Sequence, residues 1–222
     1  MKLFFGIFLV RVRWWGHACF EVGNGITLVF DPHDGESVGL PRPDVKADVV
    51  LVSHDHYDHA AGVKLVLRPG GTVVRDTVEK NIGGVRIRGV ETFHDDQGGR
   101  LRGKNTVYVV NFGGLTLCHL GDLGHVPTSE QVRGIGKVDV LFIPVGGVYT
   151  IDAGEAAETV QKIAPRITVP MHYRIKGLKV GIAGVEDFLS GKRNVIRIKS
   201  REFQVSPEAL PKSPEIRVLS FP

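Results

Sequence analysis

Seven consecutive residues, SHDHYDH at 53–59, carry three histidines and two aspartates. Neutral imidazole and carboxylate are donors that suit Zn²⁺, Fe²⁺ and Mn²⁺, with bonds of about 2.0–2.2 Å for zinc. His54 and His56 lie two apart, so an extended backbone, or a loop at a strand end, lets both converge on one ion. Asp58 and His59 follow at once and can face a second position as the chain turns at Ala60. The apolar run DVVLV leads straight into the cluster, which places it in a loop at a buried strand's end, where functional residues concentrate. A histidine-rich surface loop has no need of that lead-in.

The elements that must position this cluster are short apolar runs punctuated by glycine. VRVRWW, ACFEV and ITLVF read as strands, with Gly23-Asn24-Gly25 as the tight turn between the last two. DVVLVS is an apolar strand, and AAGVKLVL reads as a short helix ended by Pro69-Gly70. TVVRD, VRIRGVETF, NTVYVVNF and LTLCHL follow as strands, and TSEQVRGI as a short helix. VDVLFIPV and RITVPMHY read as strands flanking a helix DAGEAAETVQKI, whose Asp152 and Glu155 have the spacing of a capping box. EDFLSG is a helical turn, and NVIRIKS and IRVLSF close the chain as strands. Hairpins come first and helix–strand alternation later, which predicts an α/β protein with sheet layers covered by helices on the outside.

Composition narrows the class. The 222 residues are 42% hydrophobic and 23% charged, as in an ordinary globular protein, and can bury one core as a single domain over 1–222. A net charge of +4 is modest, and the cations are scattered, the densest group alternating with apolar residues; this speaks against a nucleic-acid interface. Two cysteines make no disulfide framework and no Cys-x-x-Cys metal motif, so a reducing cytoplasm is the expected setting. The opening MKLFFGIFLV is too short to span a bilayer and runs into VRVRWW without a small-x-small cleavage site. It reads as an extended first strand or a surplus start rather than an export signal.

His-x-His-x-Asp-His after an apolar strand resembles the signature of the metallo-β-lactamase fold superfamily. WWGHACF followed by ITLVFDP, then HLGD, then IPVGGVYTIDAGEAAETV with VPMHY, continue the resemblance in order. They are similar to the small cytoplasmic branch related to ascorbate-phosphate lactonase. The resemblance implies a four-layer αββα sandwich and two divalent metal ions (Zn, Mn, Fe or Ni). It implies one ion held by His54, His56 and His94, a second by Asp58, His59 and His172, and Asp122 between them. Asp58 and Asp122 would then serve the chemistry as well as the binding. Two cations about 3.5–4 Å apart repel, and a bridging carboxylate and hydroxide offset that while bringing the water's pKa toward neutrality. Tyr57 stands where diiron oxygen-reductase relatives carry a glutamate, which speaks for hydrolysis over redox chemistry.

Around this set, Asp31 is expected to orient a histidine ligand, His17 either faces the cleft or is a core histidine, and His33 and His125 are expected at the surface near the rim. His119 competes with His94; His94 closes its strand, whereas His119 lies within one and is expected to support a ligand or Asp31. Tyr173, with Arg174 and Lys176, follows a ligand and is a candidate for contacting an anionic substrate. The expected activity is metal-dependent hydrolysis of a small molecule, a phosphodiester or a (phospho)sugar lactone. An RNA- or DNA-processing nuclease and a metal-binding protein without turnover are the alternatives. No membrane association is expected, and the oligomeric state is left open, a homo-oligomer included.

Overall fold

The computed structural model describes residues 9–222. The expected extension of the first strand through residues 1–8 lies outside the described residues. In chain order the strands are β1 Val10–Trp14, β2 Phe20–Asn24, β3 Ile26–Phe30, β4 Ala47–Leu51, β5 Leu67–Val74, β6 Lys80–Ile82 and β7 Val85–Phe93. They continue with β8 Lys104–Phe112, β9 Leu115–His119, β10 Val140–Pro144, β11 Ile167–Met171, β12 Val195–Ile198, β13 Glu202–Val205 and β14 Glu215–Leu219. The helices are α1 Tyr57–Ala60, α2 Val63–Val66, α3 Ser129–Ile135, α4 Ala153–Ile163 and α5 Glu186–Leu189. All but α4 are short.

Two sheets result. One has six strands in the order β13-β1-β2-β3-β4-β5, the other eight in the order β12-β14-β11-β10-β9-β8-β7-β6. Their inner faces share a core. Phe20 of β2 and Phe142 of β10 meet across it with ring centroids 4.4 Å apart, and both are fully buried. Each large apolar side chain taken out of water there contributes about 1.5–3 kcal/mol. A smaller apolar cluster lies on the other face of the six-stranded sheet, where Val63 and Val66 of α2 cover Val29, Val50 and Val52. Helix α4 starts as its sequence predicts: Asp152 caps the Gly154 and Glu155 N–H groups, and Glu155 returns the bond to the Asp152 N–H.

The structure corrects the reading of residues 60–74. The expected helix stops at Val66, and Leu67 begins a strand that runs through Pro69-Gly70-Gly71. Pairing with β4 explains this. Ala47 faces Leu67 but Val49 faces Thr72, so a bulge absorbs the Pro-Gly-Gly segment, and β5 is an edge strand where proline costs no ladder bond. Strands β6 and β13 escape a linear reading because they are short; β13 exists through its pairing with β1, Val10 opposite Val205. Among the described residues no helix is long and apolar enough to cross a membrane.

Candidate metal centre

Each candidate ligand segment follows the C-terminal end of a strand. Asp31 follows β3, Ser53 and His54 follow β4, His94 follows β7, Asp122 lies beyond β9 and His172 follows β11. The chain turns sharply at several of these ends. His17, Asp31 and His172 take positive φ values of 52°, 44° and 50°, a conformation that side chains tolerate poorly and that concentrates at functional sites. Gly121 (φ 55°) is required for close approach: a Cβ there would lie 2.3 Å from Asn105 Oδ1 and 2.6 Å from Ser53 Cβ.

The side chains converge in three overlapping sets of donors able to hold a metal. One is His54, His56 and His94; a second is Asp58, His59 and His172 with His17; the third joins His54 and His59 to Asp122. Asp122 sits at the middle. Its Oδ2 lies 3.1 Å from His59 Nε2, 3.2 Å from His94 Nε2, 3.3 Å from His172 Nε2 and 3.9 Å from His54 Nε2. Asn105 Oδ1 accepts the Asp122 N–H at 2.9 Å and so anchors the backbone that presents this carboxylate.

Buried hydrogen bonds decide which ring nitrogens face inward. His59 Nδ1 lies 2.9 Å from Asp31 Oδ2, and since a carboxylate can only accept, that nitrogen carries the proton. Ser53 Oγ donates to the same Asp31 oxygen at 2.7 Å and therefore accepts from His54 Nδ1 at 2.9 Å. Asp31 thus orients both rings, one directly and one through Ser53, and leaves each Nε2 with a lone pair. Both Nε2 atoms are buried and make no hydrogen bond, and neither does Asp122 Oδ1. Lone pairs of imidazole facing a buried carboxylate across about 3 Å are repulsive unless a cation lies among them. Burial pushes His59 toward the neutral form, but Asp122 and Asp31 outweigh it and hold its pKa well above the usual value, so where no cation lies between them a second proton, on Nε2, answers Asp122. Burial and the nearby His59 bring His54 down to about 3. Asp122 stays well below the usual carboxylate range because His172 and His59 outweigh its burial. The donor set therefore fits divalent metal ions.

His17, open between cleft and core from sequence, is fully buried in the centre: its Nε2 donates to Asp58 Oδ2 at 3.0 Å, and its ring lies 4.1 Å from that of His172. His119 has both nitrogens engaged, Nε2 donating to the Ala18 carbonyl at 2.8 Å and Nδ1 accepting from the Gly121 N–H at 3.1 Å. Its ring stacks on Phe30 and stays 3.9 Å from Asp31, so it supports the backbone rather than Asp31 or a ligand. Two further expectations need correction. His33 is not at the surface but fully buried, with Nε2 donating to the Trp15 carbonyl. Tyr173 does not reach the centre; it is buried in the core with its ring 5.2 Å from that of Trp14, past the turn that the positive φ of His172 makes at the end of β11. His125 is half-buried, accepting the Phe93 N–H at 3.3 Å.

A cavity of about 440 Å³ opens over the donors, lined by His56, Asp58, His94, Asp122 and His172 together with Tyr57, Arg102, Tyr149, Lys179 and Val180. Arg174 and Lys176 are exposed and take no part in it. Sequence reasoning missed Ser53, Asn105, Arg102, Tyr149 and Lys179. Ser53 alone carried a signal, its place directly before His54.

Comparison with known proteins fits this geometry. A beta-lactamase superfamily domain matches residues 11–172. A UPF0173 metal-dependent hydrolase of Thermoplasma volcanium is 32% identical over 190 residues, covering 74% of this chain and 83% of that protein. The crystal structure of a metallo-beta-lactamase superfamily protein from Thermotoga maritima superposes with a TM-score of 0.79 at 39% identity, covering 95% of this chain and 98% of that one. The short form of human tRNase Z, at 13% identity and a TM-score of 0.53 over 75% of this chain and 92% of its own, shares the fold alone. The chain belongs to the beta-lactamase superfamily.

Proposed function

From that membership and the geometry of the centre, we propose that the protein is a metal-dependent hydrolase acting on a phosphodiester or a (phospho)sugar lactone. One observation carries the reading. Four histidine Nε2 atoms surround one oxygen of the buried Asp122 carboxylate at 3.1–3.9 Å, and Asp31 orients two of those rings, one directly and one through Ser53. We assign His54, His56 and His94 to one ion, Asp58, His59 and His172 to a second, and Asp122 between them. Divalent metal ions, when bound, polarise the bond to be cleaved and lower the pKa of water toward neutrality.

The chain's own residues supply orientation. Asp31 and Ser53 fix the rings of His59 and His54, His17 holds one oxygen of Asp58 and frees the other, and Asn105 sets the main chain at Asp122. The cavity admits a small molecule directly over these donors. Both described cysteines are buried and unpaired, in keeping with action in a reducing cytoplasm.

The test is metal analysis beside a substrate panel. Protein stripped with a chelator is expected to keep its far-ultraviolet circular dichroism, because the core between the sheets does not include the ligands. Activity toward bis(4-nitrophenyl) phosphate or lactones is expected to vanish with the metal and return with Mn²⁺, Zn²⁺ or Ni²⁺. Unfolding on chelation would make the site structural and overturn the proposal.

A further inference from the structure

Two cations line the cavity beside the metal-binding donors. Some surface cations elsewhere are paired, among them Arg68 with Asp48, Lys80 with Asp76, Arg86 with Glu79 and Lys104 with Glu91. Arg102 and Lys179 face the cavity and have no ion pair among the described residues. Both are held there. The Asp95 carboxylate accepts the N–H groups of Gln97, Gly99, Leu101 and Arg102 at 2.8–2.9 Å, so the loop after His94 is a closed turn that presents Arg102. The guanidinium lies 5.7 Å from the centre of the Tyr149 ring, and one of its nitrogens is 3.4 Å from the Val148 carbonyl.

Lys179 is positioned from another loop. Its N–H donates to the Val38 carbonyl at 2.9 Å. Its stem runs past Gly39, where a Cβ would come within 2.7 Å of Lys179 Cγ. Two aromatic rings that also line the cavity are left in the open: Tyr57 is 57% exposed and Tyr149 42%. The turn bearing Tyr149 contains Val148 at φ 65°, a strained conformation for a β-branched residue that persists only where the surroundings impose it.

We propose that Arg102 and Lys179 form an anion subsite beside the metal centre, receiving a second negatively charged group of the substrate while Tyr57 and Tyr149 flank the segment that joins it to the cleaved bond. The inference rests on the metallohydrolase reading, which supplies the first anchoring point. It narrows the substrate to a molecule with an oxyanion, phosphoryl or carboxylate, away from the bond that breaks. A guanidinium fork and an ammonium in a partly enclosed cavity match such a group through charge-assisted hydrogen bonds. A neutral lactone or an uncharged ester would leave the two cations only long contacts to main-chain carbonyls, Arg102 to Val148 at 3.4 Å and the Lys179 ammonium to Glu36 at 3.5 Å.

Calorimetric titration of the metal-loaded protein with paired probes tests this. Phenylphosphonate offers one anion. The meta- and para-carboxyphenylphosphonates and 3-phosphonopropionate offer a second at different spans. At least one two-anion probe is expected to bind wild type about tenfold more tightly than phenylphosphonate, the worth of one charge-assisted contact. That advantage is expected to disappear in Arg102→Ala and Lys179→Met and to survive in Lys176→Ala, an exposed cation outside the cavity. No advantage with any probe, or one that persists in both cavity variants, overturns the subsite. The same titration on metal-stripped protein keeps the two readings apart: phenylphosphonate affinity that ignores the metal counts against the metallohydrolase, whatever the variants do.

Discussion

His17 Nε2 donates to Asp58 Oδ2 at 3.0 Å, inside a centre where His17 is fully buried. Burial and the neighbouring His172 bring His17 down to about 3, so the ring is neutral and its single proton goes to Asp58. His17 is therefore a positioning residue that aims Asp58, not a ligand competing with it. His17→Asn keeps a residue that tolerates the positive φ at this position but is too short to reach Asp58. Metal affinity, measured by competition with a chromogenic chelator, is expected to fall about 10–100-fold while saturating stoichiometry is unchanged. Loss of one whole equivalent at saturating metal would show His17 to be a ligand.

Ser53 links His54 to Asp31, donating at 2.7 Å to one and accepting at 2.9 Å from the other. Ser53→Ala removes the link while the Ser53 backbone N–H bond to Asp31 remains available. His54 then loses the partner that keeps its proton on Nδ1. The expected result is about 10–100-fold weaker metal binding with the native dichroism spectrum. Wild-type affinity in this variant would remove Ser53 from the account of the site.

His94 and His119 are separated by what each loses on truncation. His94→Ala deletes a nitrogen facing Asp122 and is expected to cost one equivalent of metal by mass spectrometry. His119→Ala strands the Ala18 carbonyl and the Gly121 N–H and leaves a hole against Phe30. It is expected to keep its metal when folded but to lose about 2–5 kcal/mol of stability in urea denaturation. Metal counts in the reverse order would exchange the two roles.

Cys19 and Cys118 are fully buried, and burial holds both thiols well above their ordinary pKa. Because the thiolate is the reactive form, native protein at pH 8 is expected to resist iodoacetamide, and denatured protein to take up label at both positions. Labelling of native protein at a rate near that of free cysteine would contradict this burial.

The metal chemistry was legible in the sequence because it is local. Residues 54–59 place four donors within six positions, and an apolar strand leading in is enough to say that they emerge together. Period-2 patterning gave most strands, and Asp152 with Glu155 gave the start of α4, since caps and strand faces depend on near neighbours. What the chain order could not supply is contact between segments distant in the chain that one sheet brings together. Asp31 is 28 residues from His59, Asn105 is 17 from Asp122 and His17 is 41 from Asp58, and each pairing arises only when strands lie side by side. The edge strand through Pro69-Gly70 depended on its partner in the same way, because a bulge against β4 decided what local propensity had read as the end of a helix. The cavity wall is the extreme case. Arg102, Tyr149 and Lys179 come from three loops with no pattern in common, and only tertiary packing turned Tyr173 into the core while bringing those three to the mouth of the site.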